Sequence, residues 1–182
     1  FDEDMKGHDT PAHPPHPTKK ESTMSDRFQR ITPFLWFDTQ AEEAANYYVS
    51  IFPNSRVVGI TRYTKEASAA SGQPEGGVMT AAFELDGQQV TALNGGPIFK
   101  FNEALSLVVR CQDQAEIDYY WDKLSAGGDP KAQACGWLKD KYGLSWQIVP
   151  VDVEEIVKNP GSVAAMMNMT KIDVAAMKAA AT

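Results

Sequence analysis

The feature that most restricts the fold of this chain is a repeat. Residues 31–37, ITPFLWF, read as an apolar strand, and Ala44, Tyr47, Tyr48 and Ile51 then fall at i, i+3, i+4 and i+7, the stripe of an amphipathic helix. Residues 104–110, ALSLVVR, read as a strand again, and Ile117, Tyr120, Trp121 and Leu124 repeat the stripe. Strand and stripe both recur 73 residues on. Thr39 with Glu42, and Asp113 with Glu116, give each helix a capping-box start, while Pro53-Asn54 and Gly127-Gly128 stop them.

The remainder of each copy reads as strands. Residues 55–64 form one, and residues 78–85 turn at Asp86-Gly87 into QQVTALN, a two-residue hairpin signal. In the second copy a shorter piece, CGWLKD at 135–140, turns through 141–143 into LSWQIVPV. A four-stranded sheet with one helix leaves one face bare, so two modules must pair or exchange to cover each other, and a cavity is expected on the concave face. The expected fold is α+β, tandem βαβββ modules at about 30–96 and 103–151 within a domain spanning 24–162, their mixed sheets forming a cup. Residues 163–182, Ala- and Met-rich at helical spacing, should form a C-terminal helical segment that packs on the sheet or on a partner, with Thr170 and Asp173 restarting a second short helix.

Residues 1–23 hold all three histidines, His8, His13 and His16, with four prolines and few apolar side chains, and are expected to be a disordered extension. A net charge of −7, with no basic aromatic stretch, argues against nucleic acid. No apolar run is long enough for a membrane span and the N-terminus lacks a secretory apolar region, so the expected location is the cytoplasm. Two cysteines, Cys111 and Cys135, are too few for a disulfide framework and are expected as thiols.

Four segments carry a family resemblance: ITPFLWFD at 31–38, the Tyr-Tyr helix ending IFPNS at 51–55, LNGGPIFKFNEALSLVV at 93–109 and CGWLKDKYGLSWQIVP at 135–150. The chain resembles the PhnB-like family, often labelled 3-demethylubiquinone-9 3-methyltransferase, of the vicinal-oxygen-chelate superfamily that includes glyoxalase I, extradiol dioxygenases and bleomycin-resistance proteins. The resemblance implies the glyoxalase/bleomycin-resistance fold and a cup able to hold a small molecule. Superfamily members that use a metal place ligands on the first and last strands of each module. Those slots fall near Ile31, within 90–94 where Thr91 and Asn94 are polar, on Ser106 and on Gln147, and none holds His or a carboxylate. No catalytic metal is expected.

The residues expected to meet a ligand are Asn94, Ser106, Trp137 and Gln147. Ser106 and Gln147 equally suit a hydrogen bond to each other, and Asn94 a turn before Gly95-Gly96. Trp36 and Trp146 are expected in the core, Trp146 on the face opposite Gln147. Cys135 and Asp140 are the candidate catalytic groups, a nucleophile with no neighbouring base in sequence and a carboxylate that equally suits the turn. Lys139 and Lys141 are expected in solvent, and residues 65–77 as a loop that serves either as a lid or only as surface.

A methyltransferase would need an S-adenosylmethionine site, commonly a Gly-rich strand-to-helix turn, and the glycine pairs at 76, 95 and 127 lack that setting. The leading expectation is a cytoplasmic homodimer that binds a small organic molecule in an apolar cup, with no cofactor, no nucleic acid and no membrane. The alternatives are a metal-independent enzyme of the same fold and, third, a metal-dependent lyase or dioxygenase. Whether any reaction is catalysed stays open at this point.

Overall fold

The computed structural model describes residues 29–181. The disordered reading of residues 1–23 and the three histidines therefore lie outside the described residues.

The first module runs β1 (Phe34–Phe37), α1 (Ala41–Ile51), β2 (Arg56–Arg62), α2 (Lys65–Ser71), β3 (Val78–Leu85) and β4 (Gln88–Asn94). Its sheet has the order β1-β4-β3-β2, with β1 parallel to β4 and the other pairs antiparallel. Leu85 pairs Gln88 across Asp86-Gly87, both at positive φ, so the Asp-Gly hairpin forms as the sequence reads. Strand alternation is clean: Leu35, Phe37, Ala81, Phe83, Val90 and Ala92 are buried on one face, while Phe34, Trp36, Ala82, Thr91 and Leu93 stand on the other.

The second module runs β5 (Ser106–Cys111), α3 (Gln114–Ser125), β6 (Trp137–Lys139) and β7 (Ser145–Pro150). Its sheet has three strands, β5-β7-β6, again with the first strand parallel to the last. A 3-10 turn at Pro130–Ala132 occupies the stretch where the first module has β2. α4 (Val153–Ile156), α5 (Pro160–Met166) and α6 (Val174–Ala179) complete the chain. The C-terminal segment thus holds the end of α5 and a second short helix, α6, as the sequence reads, with Asn159 capping α5 and Asp173, rather than Thr170, capping α6.

The helix-bearing faces of the two modules meet. Tyr48 of α1 stacks on Phe83 of the first sheet and tilts against Trp146 of the second, and Phe52 stacks on both Tyr120 and Trp146. Tyr47 Oη donates to Lys123 O and Tyr119 Oη to Ile51 O, tying α1 to α3. The open faces of both sheets consequently point away from this shared core.

Three local readings are corrected. Thr39 does not cap α1; Gln40 stands at the N-cap without a side-chain bond to the helix, and Asn94 Oδ1 accepts from Ala41 N at 2.7 Å instead. Residues 65–71 are helical rather than loop, because Thr64 caps the segment and Gly72 ends it at φ 74°. Trp36 is only half-buried, on the open face of the first sheet with its ring packed over the Cα of Gly95, where a Cβ would lie 2.1 Å from the indole. Its Nε1 donates to Gly96 O, and Phe99 meets the ring edge-on. By contrast α3 keeps its box, with Asp113 Oδ1 accepting from Glu116 N, and Glu116 accepting from Gln112 N.

Candidate functional site

Three rows of side chains cross the open face of the second sheet. Register and alternation place Ser106, Ser145 and Lys139 in one, Val108, Gln147 and Trp137 in the next, and Arg110 with Val149 in the third. α4 and α5 bring Val153, Val157, Met166 and Met167 up to these strands, enclosing a cavity of about 760 Å³ with a mostly apolar lining. The methionines that the sequence assigns to packing thus supply part of its wall.

The cavity's polar groups are few and unequal. Gln147 Nε2 donates to Ser106 Oγ at 2.8 Å, so these two satisfy each other across the strands. Gln147 lines this cavity, whereas Ser106 borders a neighbouring hollow of about 530 Å³ at the β5 edge. Lys139 Nζ is paired with Glu103, whose carboxyl the ammonium holds below its ordinary value, and Lys141 sits over the Tyr47 and Tyr142 rings at 4.6 and 5.0 Å. Neither lysine is freely solvated. Arg110 Nη2 meets Glu154 Oε1 at 2.6 Å at the rim.

Ser145 stands apart. Its Oγ is sealed from solvent and has no hydrogen-bond partner among the described residues. Leaving a buried hydroxyl unpaired costs about 1–3 kcal/mol, so this atom needs a reason. Its residue lies directly opposite Lys139 and lines the cavity.

Cys135 also lines the cavity, 3.9 Å from Met167 Sδ. With Gly136 it forms the two-residue turn between Ala134 and Trp137, both residues at positive φ, and their amides donate to Met169 O and Thr170 O. Cys111 is different: it is fully buried, and burial together with Glu116 and Asp113 pushes its thiol up to about 12.

The other two sequence candidates sit on the far side of the sheets. Asp140 is buried and does not line the cavity; its Oδ2 accepts from Tyr48 Oη at 2.7 Å and Trp146 Nε1 at 2.8 Å, its Oδ1 from the amides of Tyr142 and Leu144. Burial raises its pKa, and the four donors oppose that rise. Trp146 occupies the face opposite Gln147, as alternation requires, and helps to hold this carboxylate. Asn94 is buried at the end of β4, its Oδ1 capping α1 and its Nδ2 donating to Val78 O. Of the six sequence candidates, then, the structure brings Cys135, Trp137 and Gln147 to one cavity, places Ser106 beside it through the bond to Gln147, and gives Asp140 and Asn94 partners in the core.

Sequence reasoning missed Ser145, Lys139 and Glu103 as cavity groups. Only the β6–β7 register aligns the first two, and no periodicity in the sequence encodes that pairing. Among the described residues no three His, Cys, Asp or Glu side chains are grouped so as to hold a metal ion, and no helix is long and apolar enough to cross a membrane.

Residues 29–149 match the family model described as 3-demethylubiquinone-9 3-methyltransferase. Among solved structures, the PhnB protein of Bacillus cereus is 38% identical, with 66% of this chain aligned to 99% of that one and a TM-score of 0.57. A Staphylococcus aureus protein is 27% identical, over 67% of this chain and 96% of that one, with a TM-score of 0.30. A Pseudomonas aeruginosa protein is 20% identical, over 68% and 98% respectively, with a TM-score of 0.46. None of the curated proteins matches.

Proposed function

The chain belongs to the 3-demethylubiquinone-9 3-methyltransferase family, of the PhnB-like kind, and from that premise we propose that it binds a small organic molecule in the cup of its second sheet without a catalytic metal. The observation that carries this reading is the cavity of about 760 Å³, apolar over most of its wall and with a handful of polar groups in its lining. That is the composition of a site that orients a ligand rather than one that runs acid–base chemistry. Asp140 supports the cup from behind through Trp146 and the amides of Tyr142 and Leu144.

Methyl transfer is not part of the proposal. The glycine pairs follow α2, β4 and α3, and none forms a strand-to-helix phosphate or cofactor turn. The second reading is a metal-independent reaction at Cys135, favoured by its position on the cavity wall. Cys135→Ala with unchanged ligand occupancy and no lost turnover removes it.

The same proposal includes a cytoplasmic homodimer. Phe34, Val58 and Phe99 are exposed around the open face of the first sheet, with Trp36 among them, and a second copy covering this face would bury them. Native mass spectrometry of the protein as purified from cells, with His8, His13 and His16 changed to Ala and metal analysis on the same sample, tests the reading. An organic molecule bound without stoichiometric transition metal is the expected result. Stoichiometric metal in that variant overturns it.

A further inference from the structure

We propose that the molecule held by the second sheet carries a carboxylate on an apolar or aromatic body, that Lys139 Nζ and Ser145 Oγ receive the carboxylate, and that Glu103 occupies the ammonium while the cavity is empty. This rests on the cavity being a ligand site, and adds the ligand's chemical class. Four observations carry it. Lys139 and Ser145 are directly opposed across β6 and β7, and both line the cavity. Directly opposed residues of an antiparallel pair have Cβ atoms about 4.5–5.5 Å apart, close enough for one carboxylate to meet both. Ser145 Oγ is covered while the cavity is empty and lacks an acceptor or donor partner among the described residues, an unused hydroxyl on a residue of the cavity lining.

The third observation is the ion pair. The Lys139 side chain is 23% exposed and that of Glu103 is 67% exposed, so of these two lining residues the cation sits deeper in the cavity and its partner nearer the solvent. Glu103 lies in the turn before β5, outside any strand or helix. An exposed carboxylate on a turn is readily exchanged for another carboxylate, since an exposed ion pair is worth little and its loser returns to water. The fourth is the body of the cavity: Trp137 and Val108 flank Gln147 in the adjacent row, giving an apolar surface beside the charged end. Arg110, the other cation on this face, is held at the rim by Glu154 on α4 and is not needed.

The test compares 2-naphthoate with 2-naphthamide, which share shape and differ in charge, by titration calorimetry on the full chain. The wild-type protein is expected to bind naphthoate at least tenfold more tightly than the amide. Lys139→Met should remove that preference while leaving amide binding within twofold, which shows the variant folded and the cavity intact. Glu103→Gln, which removes the competing carboxylate, should tighten naphthoate severalfold and leave the amide unchanged; Ser145→Ala should weaken naphthoate more than the amide. Equal binding of the two compounds, or a preference that survives Lys139→Met, overturns the carboxylate assignment and leaves the ligand cavity standing. Failure of both compounds to bind overturns the assignment and the cavity reading together.

Discussion

The two modules share a frame and differ in what they do with it. α1 buries Ala44, Tyr48 and Ile51 where α3 buries Ile117, Trp121 and Leu124, and in both sheets the first strand lies parallel to the last. On the open faces the likeness ends. With Phe34 matched to Val108, the register matches Thr91 to Gln147, Ala82 to Trp137 and Glu84 to Lys139. At these matched positions the first face presents Thr91, Ala82 and Glu84, the last paired to the exposed Arg56; the second presents an amide, an indole and a cation, and alone has α4 and α5 beside it. The buried side of a module is fixed by close packing, whereas the open side is free to diverge. In the function proposed above, this divergence gives the ligand to one face and the protein partner to the other.

The largest effect that separates the modules comes at their hairpin carboxylates. Asp140→Ala strands four donors, one of them from α1 of the other module, and should cost about 3–5 kcal/mol in urea unfolding. Asp86→Ala, on an exposed turn of the first module, should cost about 1 kcal/mol, through the left-handed backbone and one exposed hydrogen bond from Asn54 Nδ2. Similar losses for both would mean that Asp140 is not the joint between the modules.

The helix caps come next. Asn94→Ala removes the buried cap of α1 and a second, partly buried bond, and should cost about 2 kcal/mol, whereas Asp113→Ala removes a local, exposed cap of α3 for about 1 kcal/mol. Thermal unfolding of the two variants side by side reads the difference. A smaller loss at Asn94 would argue that α1 needs no cap from β4.

This difference also marks how far the sequence could be read. The stripes of α1 and α3 and the Asp-Gly hairpin are local patterns, and all three hold. The cap of α1 comes from a residue 53 positions away, which no local motif announces. On the strands the repeat runs at 74 residues, Phe37 matching Cys111, and at 73 on the helices, because the second β–α connection is one residue shorter. A one-residue slip changes which side chains face the cavity. α2 was hidden because Lys-Glu-Ala-Ser-Ala-Ala-Ser has no apolar stripe, only a cap at each end. Lys139 reads as an exposed charge, and Ser145 carries no signal, until the strand pairing puts them opposite each other.

The smallest effect is chemical rather than energetic. Both cysteines belong to the second module's sheet region, but with its thiol near 12 and fully buried, Cys111 should stay unlabelled by a thiol-specific disulfide reagent at pH 8, while Cys135 reacts. One thiol per native chain and two after denaturation is the expected count. Two in the native protein would show that the core around β5 opens easily.

The division of labour between the faces is the central claim, and a matched pair of bulky substitutions tests it directly. Native mass spectrometry on Gln147→Trp and Thr91→Trp, at equivalent positions of the two sheets, reads ligand occupancy and assembly together. Gln147→Trp should lose the co-purified molecule and remain a dimer; Thr91→Trp should keep the molecule and lose the dimer. Loss of the ligand from Thr91→Trp, or its retention by Gln147→Trp, would contradict the account.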